Sequence, residues 1–187
     1  MRNKSELRKE ALQKRNMMLS DDKDKASAII AKRLFSLNEW KEAERIFLYF
    51  GCNGEVKTEE IIKEALDSGR QVFLPRVKSD TDMVFIKIGS KDKDMEYGAF
   101  GIPEPPDRGE YATAPPDIIV VPCVASDVAG HRIGHGKGYY DRYLKQFAGA
   151  IKICPAYECQ ITETFIPEDT DINMDIIITE ERVIRTG

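Results

Sequence analysis

Hydrophobic and polar positions change period several times along the chain, and each change marks an element. From Asn3 to about Met18 the composition is helical. Projected at about 100° per residue, Leu7, Ala11 and Met18 fall to one side of a stripe formed by Lys4, Arg8 and Arg15, with Leu12 on its other side. Glu6, Lys9, Glu10 and Gln13 take the far face. A second helix is expected after the N-cap Ser20 and its acidic first turn, Asp21 and Asp22, with Ala26, Ile29, Ile30, Arg33, Leu34 and Leu37 at helical spacing. Continuous apolar runs of strand length follow at Arg45 to Phe50, Gln71 to Pro75, Met83 to Ile88, Asp117 to Pro122, Ile151 to Cys154 and Ile176 to Thr179. Helices are predicted between some of them. One is capped by Thr58-Glu59-Glu60, with Ile61, Ile62, Ala65 and Leu66 inward and Gly69 as C-cap; another runs from Gly138 to about Phe147. The Gly-, Pro- and charge-rich stretch from Ser90 to Pro116 predicts a long structured loop.

Strands alternating with helices imply α/β architecture: a single three-layer domain spanning 1–187, Rossmann-like, with a mostly parallel sheet covered by helices on both faces. In such sheets ligands sit beyond the carboxyl ends of the strands.

Composition narrows the function. With 28 Lys and Arg against 32 Asp and Glu, and no block of five like charges, the chain lacks the concentrated basic surface of a non-specific nucleic-acid binder. No run approaches the roughly 18 apolar residues of a membrane span, and Met1 to Lys4 leads into a charged amphipathic segment rather than a secretory core. A cytoplasmic protein is expected. Cys52, Cys123, Cys154 and Cys159 form no Cys-x-x-Cys pair and are expected as reduced thiols, and with His131 and His135 the only histidines, no zinc-like ligand spacing is present.

Candidate chemistry concentrates in Arg132-Ile133-Gly134-His135-Gly136-Lys137-Gly138-Tyr139-Tyr140-Asp141, which follows a buried strand and opens a helix. Three glycines at alternate positions admit close backbone approach, and a helix N-terminus favours an anion. Arg132 and Lys137 add positive charge. The pattern is neither a P-loop nor a dinucleotide fingerprint, so a surface turn is the plain alternative. Asp141 can cap the helix or hold Mg²⁺ on a phosphate; Tyr139 and Tyr140 can stack on a ring or pack on the sheet. The cationic stripe of the first helix, aimed where the apolar residues aim, looks toward protein or ligand, or else snorkels at a packed edge.

These pieces together resemble the 5-formyltetrahydrofolate cyclo-ligase family over almost the whole chain. The matching segments are Lys4 to Arg8 with Arg15, Phe50 with Gly54 to Thr58, Leu74-Pro75-Arg76, Gly101 to Pro105, Asp117 to Pro122, Arg132 to Asp141, and Asp175 to Thr179. The resemblance implies ATP- and Mg²⁺-dependent closure of 5-formyltetrahydrofolate to 5,10-methenyltetrahydrofolate by a protein whose partners are small molecules and which is expected as a monomer. It implies that Lys4 and Arg8 grip the ATP phosphates and that Arg132, Ile133, Gly134, His135, Gly136, Lys137, Gly138, Tyr139 and Tyr140 wrap ATP. Gly136 to Tyr139 also touch the reacting formyl region, and Lys137 and Arg132 supply catalytic charge. Phe50 and Glu55 contact the folate, and Asp141 and Asp175 hold Mg²⁺. Ser126 and Cys159 depart from the family's usual bulkier residues. Two other readings remain: a nucleotide- or folate-binding module without turnover, and a sugar-phosphate enzyme on a similar fold.

Overall fold

A computed structural model describes residues 2–89, 95–98 and 101–187. The chain opens with helices α1 (Lys4–Met17), α2 (Ser20–Ser36) and the short α3 (Asn38–Glu42), then strand β1 (Arg45–Phe47), helix α4 (Glu59–Asp67), and strands β2 (Gln71–Val77) and β3 (Met83–Ile88). A small ribbon, β4 (Glu96–Tyr97) and β5 (Pro103–Glu104), precedes β6 (Ile118–Val120), β7 (Ala125–Asp127) and β8 (Arg132–Ile133). Helix α5 (Tyr139–Leu144), β9 (Ile151–Pro155), a 3₁₀ turn at Glu158–Gln160, β10 (Ile161–Thr162), β11 (Ile176–Ile178) and β12 (Val183–Arg185) complete it.

The main sheet has the order β12-β11-β9-β6-β1-β2-β3. Its five inner strands are parallel, and β3 and β12 close the two edges antiparallel. Apolar residues cover both faces, as the uninterrupted Ile118-Ile-Val and Ile176-Ile-Ile runs require. On one face Ile46, Leu48, Val72, Leu74, Ile118 and Val120 meet residues of α2, α3 and α4, including Ile30, Leu34, Trp40 and Ile61. On the other, Phe47, Phe73, Phe85, Ile119 and Ile177 meet Leu144 and the tyrosines of α5. The α/β expectation therefore holds, with a sheet mostly but not wholly parallel.

A second sheet, β10-β7-β8, carries α1: Leu7 and Ala11 bury against Val124, Ala125, Ile133 and Phe165. The strand pattern does not reveal these three strands, because two or three residues are too few to show a period. Other boundaries shift. β1 ends at Phe47 rather than Phe50, and the Leu48 N–H already bonds the Phe73 carbonyl. Leu19, not Ser20, holds the N-cap position of α2, with no side-chain cap. Helix α5 is shorter than the expected Gly138-to-Phe147 span, and β2 runs on to Val77. Within the expected loop from Ser90 to Pro116, residues 90–94 and 99–100 lie outside the described residues; the rest includes the β4–β5 ribbon and a bridge from Tyr111 to Ile86. The four cysteines are free, and no helix among the described residues is long and apolar enough to cross a membrane.

Between β1 and β6 the strand order reverses direction, so the connections leaving their carboxyl ends diverge and open a crevice. The loop after β1 and the glycine-rich loop after β8 both come to it.

Candidate functional site

The loop after β1 is held open by its own backbone chemistry. Thr58, at the N-cap position of α4, makes no cap bond; its hydroxyl donates to the Tyr49 carbonyl at 2.7 Å and accepts from the Gly51 N–H at 2.9 Å. Asn53 and Gly54 then turn through the left-handed region, at φ +51° and +79°. This turn delivers Glu55, whose Oε2 accepts from the Cys52 N–H at 3.3 Å. Its Oε1 lies 3.4 Å from His135 Nε2, so Glu55 faces the glycine loop. Burial, with the Glu55 charge adding to it, pushes the Cys52 thiol up to about 11. Phe50 is half-buried against the helix-covered core face.

The glycine loop is braced from two sides. Arg142 donates from Nε to the Thr81 carbonyl and from Nη2 to the Lys137 carbonyl, both at 2.9 Å, and the Tyr139 hydroxyl donates to the Ser79 carbonyl at 3.0 Å. Thus the β2–β3 turn holds the loop's far end. At its near end the Arg8 Nε donates to the Gly134 carbonyl at 2.9 Å, joining α1 to the loop across 126 positions of sequence. Gly138 takes the N-cap position of α5 at φ +68°, a left-handed conformation that favours glycine, and an added Cβ would lie 2.8 Å from Arg142 Nη1, pushing aside the guanidinium that braces the loop.

Beneath the loop, Arg132 is almost wholly buried. It donates to the Pro122 carbonyl at 3.2 Å and to Asp141 Oδ1 at 2.9 Å, and it stands 5.9 Å from the centre of the Tyr140 ring. Burial, reinforced by the Glu55 charge, raises the Tyr140 phenol, which therefore stays protonated. Asp141 is no helix cap. Its Oδ1 neutralises Arg132 and also accepts from the Ile172 N–H at 3.4 Å. The Lys137 side chain is exposed, and Ile133 is buried under α1.

Two expected site residues have other engagements. Lys4 Nζ is held by Asp171, with Glu168 Oε1 at 3.1 Å; it borders a hollow of about 560 Å³ lined by Arg2, Lys4, Arg8, Phe165, Ile166 and Glu168. Asp175 precedes β11 and so lies at the amino ends of the parallel strands, the edge opposite the crevice. Its Oδ2 accepts from both the backbone N–H and the ammonium of Lys152, at 2.7 and 2.9 Å. Asp175 and Asp141 share no hydrogen-bond partner among the described residues: Asp175 is bonded to Lys152, and Asp141 to Arg132 and to the Ile172 N–H, three residues before Asp175. Asp141 fits a Mg²⁺ ligand: Oδ2 has no hydrogen-bond partner among the described residues, and Mg²⁺ asks for only one or two carboxylates beside water and phosphate oxygens. No cluster of three or more His, Cys, Asp or Glu suited to a metal occurs among the described residues.

Sequence patterns missed Asp171 and Arg142, which bond Lys4 and the glycine loop; an isolated acid in a loop and one more arginine in a helix carry no local signal. Of the two family departures, Ser126 is buried with its hydroxyl donating to the His131 carbonyl at 2.7 Å, and Cys159 meets Met18 through its sulfur at 3.5 Å. Both fill structural roles.

The model of the 5-formyltetrahydrofolate cyclo-ligase family matches residues 1–180. Among curated proteins, a probable 5-formyltetrahydrofolate cyclo-ligase of Schizosaccharomyces pombe is 33% identical over 180 residues, covering 87% of each chain. The mouse 5-formyltetrahydrofolate cyclo-ligase is 27% identical, covering 94% of this chain and 92% of its own. Among solved structures, the Aquifex aeolicus 5,10-methenyltetrahydrofolate synthetase superposes with a TM-score of 0.86 at 36% identity, covering 98% of this chain and 92% of its own.

Proposed function

The chain belongs to the 5-formyltetrahydrofolate cyclo-ligase family, and from that premise we propose that it converts 5-formyltetrahydrofolate to 5,10-methenyltetrahydrofolate with ATP and Mg²⁺, releasing ADP and phosphate, the whole chain working as one domain. The observation that carries this reading is the bond from Arg8 to the Gly134 carbonyl. It draws the cationic helix onto the glycine loop at the crevice where a phosphate chain needs positive charge and backbone N–H groups.

The chemistry demands little else. The N5-formyl oxygen is a poor leaving group until a phosphoryl group is transferred onto it from ATP. N10 then attacks the formyl carbon and phosphate departs. Phosphoryl transfer rests mainly on positioning and charge stabilisation, which suits a site with no nucleophilic Ser or Cys. In this proposal Lys4 and Arg8 contact the phosphates, and the segment from Arg132 through Ile133, Gly134, His135, Gly136, Lys137 and Gly138 to Tyr139 and Tyr140 surrounds ATP. The exposed Lys137 ammonium reaches the transferring group, while buried Arg132 acts from beneath. Gly136 to Tyr139 also border the formyl end of the folate. Glu55, facing the same loop, accepts hydrogen bonds from pterin N–H groups, and Phe50 offers apolar surface. Mg²⁺, when bound, would be held by Asp141, with Asp175 the second carboxylate that the family resemblance implies, and would neutralise charge on the triphosphate.

The test is the absorbance of the methenyl product after mixing protein with 5-formyltetrahydrofolate. A rise that needs both ATP and Mg²⁺ is expected. Folded protein that gives none would overturn the proposal.

A further inference from the structure

Resting on the nucleotide reading of this site, we propose that Asp171 positions Lys4 for the phosphates, and that the short turn from Glu168 to Ile172 sets the spacing between the phosphate-gripping helix and the Asp141 carboxylate. Three observations converge on that turn. First, Lys4 Nζ meets the Asp171 carboxylate, and both side chains are largely buried, at 19% and 13% exposed. Second, the same Asp171 Oδ2 accepts from the Glu168 N–H at 2.7 Å, and the Asp171 N–H donates to the Glu168 carbonyl at 2.9 Å, so the carboxylate is locked in the turn that carries it. Third, the next residue, Ile172, gives its N–H to Asp141 Oδ1 at 3.4 Å. Consecutive residues of one closed turn therefore hold the cation expected on the phosphates and the acid expected on the metal.

The donor arithmetic leaves room for a ligand. An ammonium has three N–H groups, and Asp171 and Glu168 take two. Glu168 is 71% exposed and easily released, which frees a second donor while Asp171 keeps the head group in place. The hollow beside Lys4, bordered by Arg2 and Arg8 as well, is where an anion arriving at α1 would meet those donors.

Charge and positioning predict opposite signs, which makes the idea testable. A negative charge beside Lys4 repels phosphate, so by charge alone Asp171→Asn would bind nucleotide more tightly. If Asp171 matters by immobilising a long, rotamer-rich side chain, its loss weakens binding, because that ordering must then be supplied by the ligand.

The experiment is calorimetric titration of the full chain with Mg²⁺ and a non-hydrolysable ATP analogue, beside KM values for ATP and for 5-formyltetrahydrofolate. Asp171→Asn should weaken analogue binding roughly three- to tenfold and raise the KM for ATP to match, with the KM for folate unchanged. Asp171→Glu should restore much of the loss, and Lys4→Ala with Asp171→Asn should bind no worse than Lys4→Ala alone. Tighter or unchanged binding by Asp171→Asn, or equal loss for both substrates together with a lowered Tm, would overturn the positioning role while leaving the reading of the site intact. Wild-type protein that binds no nucleotide would overturn the reading itself, and the positioning role with it.

Discussion

Removing the Asp141 carboxylate should damage both stability and turnover, and the two losses can be separated. Arg132 is only 4% exposed at its side chain and Asp141 22%. Asp141→Ala leaves a buried guanidinium whose remaining partner is the Pro122 carbonyl, with Nε already lacking a partner among the described residues. Breaking a buried pair from one side typically costs about 3–5 kcal/mol. The partial exposure of Asp141 favours the lower end, about 3 kcal/mol, or a Tm lower by roughly 6–12 °C in a chain of this length. Loss of a helix cap would cost only about 0.5–2 kcal/mol, and Asp141 makes no such cap. Asp141→Asn keeps a neutral oxygen for Arg132 and the Ile172 N–H and should lose about 1–2 kcal/mol, yet be as inactive as Asp141→Ala if the carboxylate charge holds Mg²⁺. Replacing both partners, Arg132→Met with Asp141→Leu, should recover much of the stability without recovering turnover. Urea unfolding gives the free energies, and the methenyl absorbance gives the activity. A cost below about 1 kcal/mol for Asp141→Ala would refute the buried-pair account, and near-wild-type turnover by Asp141→Asn would refute the metal role.

Further consequences follow from the same geometry. With its thiol pushed up to about 11, Cys52 holds little thiolate at pH 7.5; after allowing for the greater nucleophilicity of a more basic thiolate, its alkylation should run roughly 10–30-fold slower than an ordinary thiol's. Peptide mapping after iodoacetamide treatment reads this directly, and an ordinary rate would contradict it. Burial raises the Glu104 carboxyl, so the folded state holds that proton more tightly than the unfolded chain. Its contribution to stability therefore falls as pH rises from below the ordinary carboxylate range through the raised folded value. Glu104→Gln should raise Tm at pH 7, with the gain shrinking in acid; a gain constant across pH would exclude this cause. At Gly51 an added Cβ would sit 2.2 Å from the Val56 carbonyl oxygen, and backbone cannot yield as a side chain can. Gly51→Ala should open the loop that carries Glu55, cost about 1–3 kcal/mol and raise the KM for folate more than that for ATP; equal kinetics would argue that Glu55 does not touch the pterin.

How far these features were legible in the sequence depends on what kind of signal each leaves. The inner strands are readable because both faces are covered: Ile118-Ile-Val and Ile176-Ile-Ile cannot alternate with polar residues without exposing charge to a helix layer. Strands β7, β8 and β10 owe their pairing to tertiary contact with α1, and α3 is five residues of connection; none is long enough to show a period. Leu19 takes the cap position expected of Ser20, a one-residue slip that local propensity does not resolve. At the site, the cations sharing the apolar side of the first helix are a true signal, since Arg8 reaches the Gly134 carbonyl and Arg15 is buried with one bond to the Asn53 carbonyl. The joint use of Asp141 and Asp175 comes from motif reasoning alone. A strand's polarity places the residue before β11 at the amino edge, with Lys152, whatever motif it belongs to.

That polarity also explains how the crevice is assembled. A reversal of strand order requires two neighbouring connections to leave the same edge of the sheet in opposite directions, and here they are the loop after β1, which carries Glu55, and the segment after β6, which runs through β7 and β8 to the glycine loop. Neither loop is rigid by composition, so each must be stiffened from outside. Thr58 ties the far end of the first back to Tyr49 and Gly51 at its start, and Arg142 and Tyr139 tie the second to the β2–β3 turn. Helix α1 packs on the smaller sheet and reaches the glycine loop through Arg8, while Lys4 reaches the turn before β11. The cations therefore belong to a different packing layer from the loop they serve. Loosening the α1 contact, as by trimming Leu7 within its buried cluster, should weaken nucleotide binding more than folate binding, because Lys4 and Arg8 both ride on α1 whereas Glu55 is also held by its bond from the Cys52 N–H, with α1 meeting that loop through the Arg15 bond to the Asn53 carbonyl. Leu7→Ala would cost about 2–5 kcal/mol as a buried leucine, and titrations with the ATP analogue and with folate would show the asymmetry. Equal weakening of both ligands would mean that the two halves of the crevice move as one body.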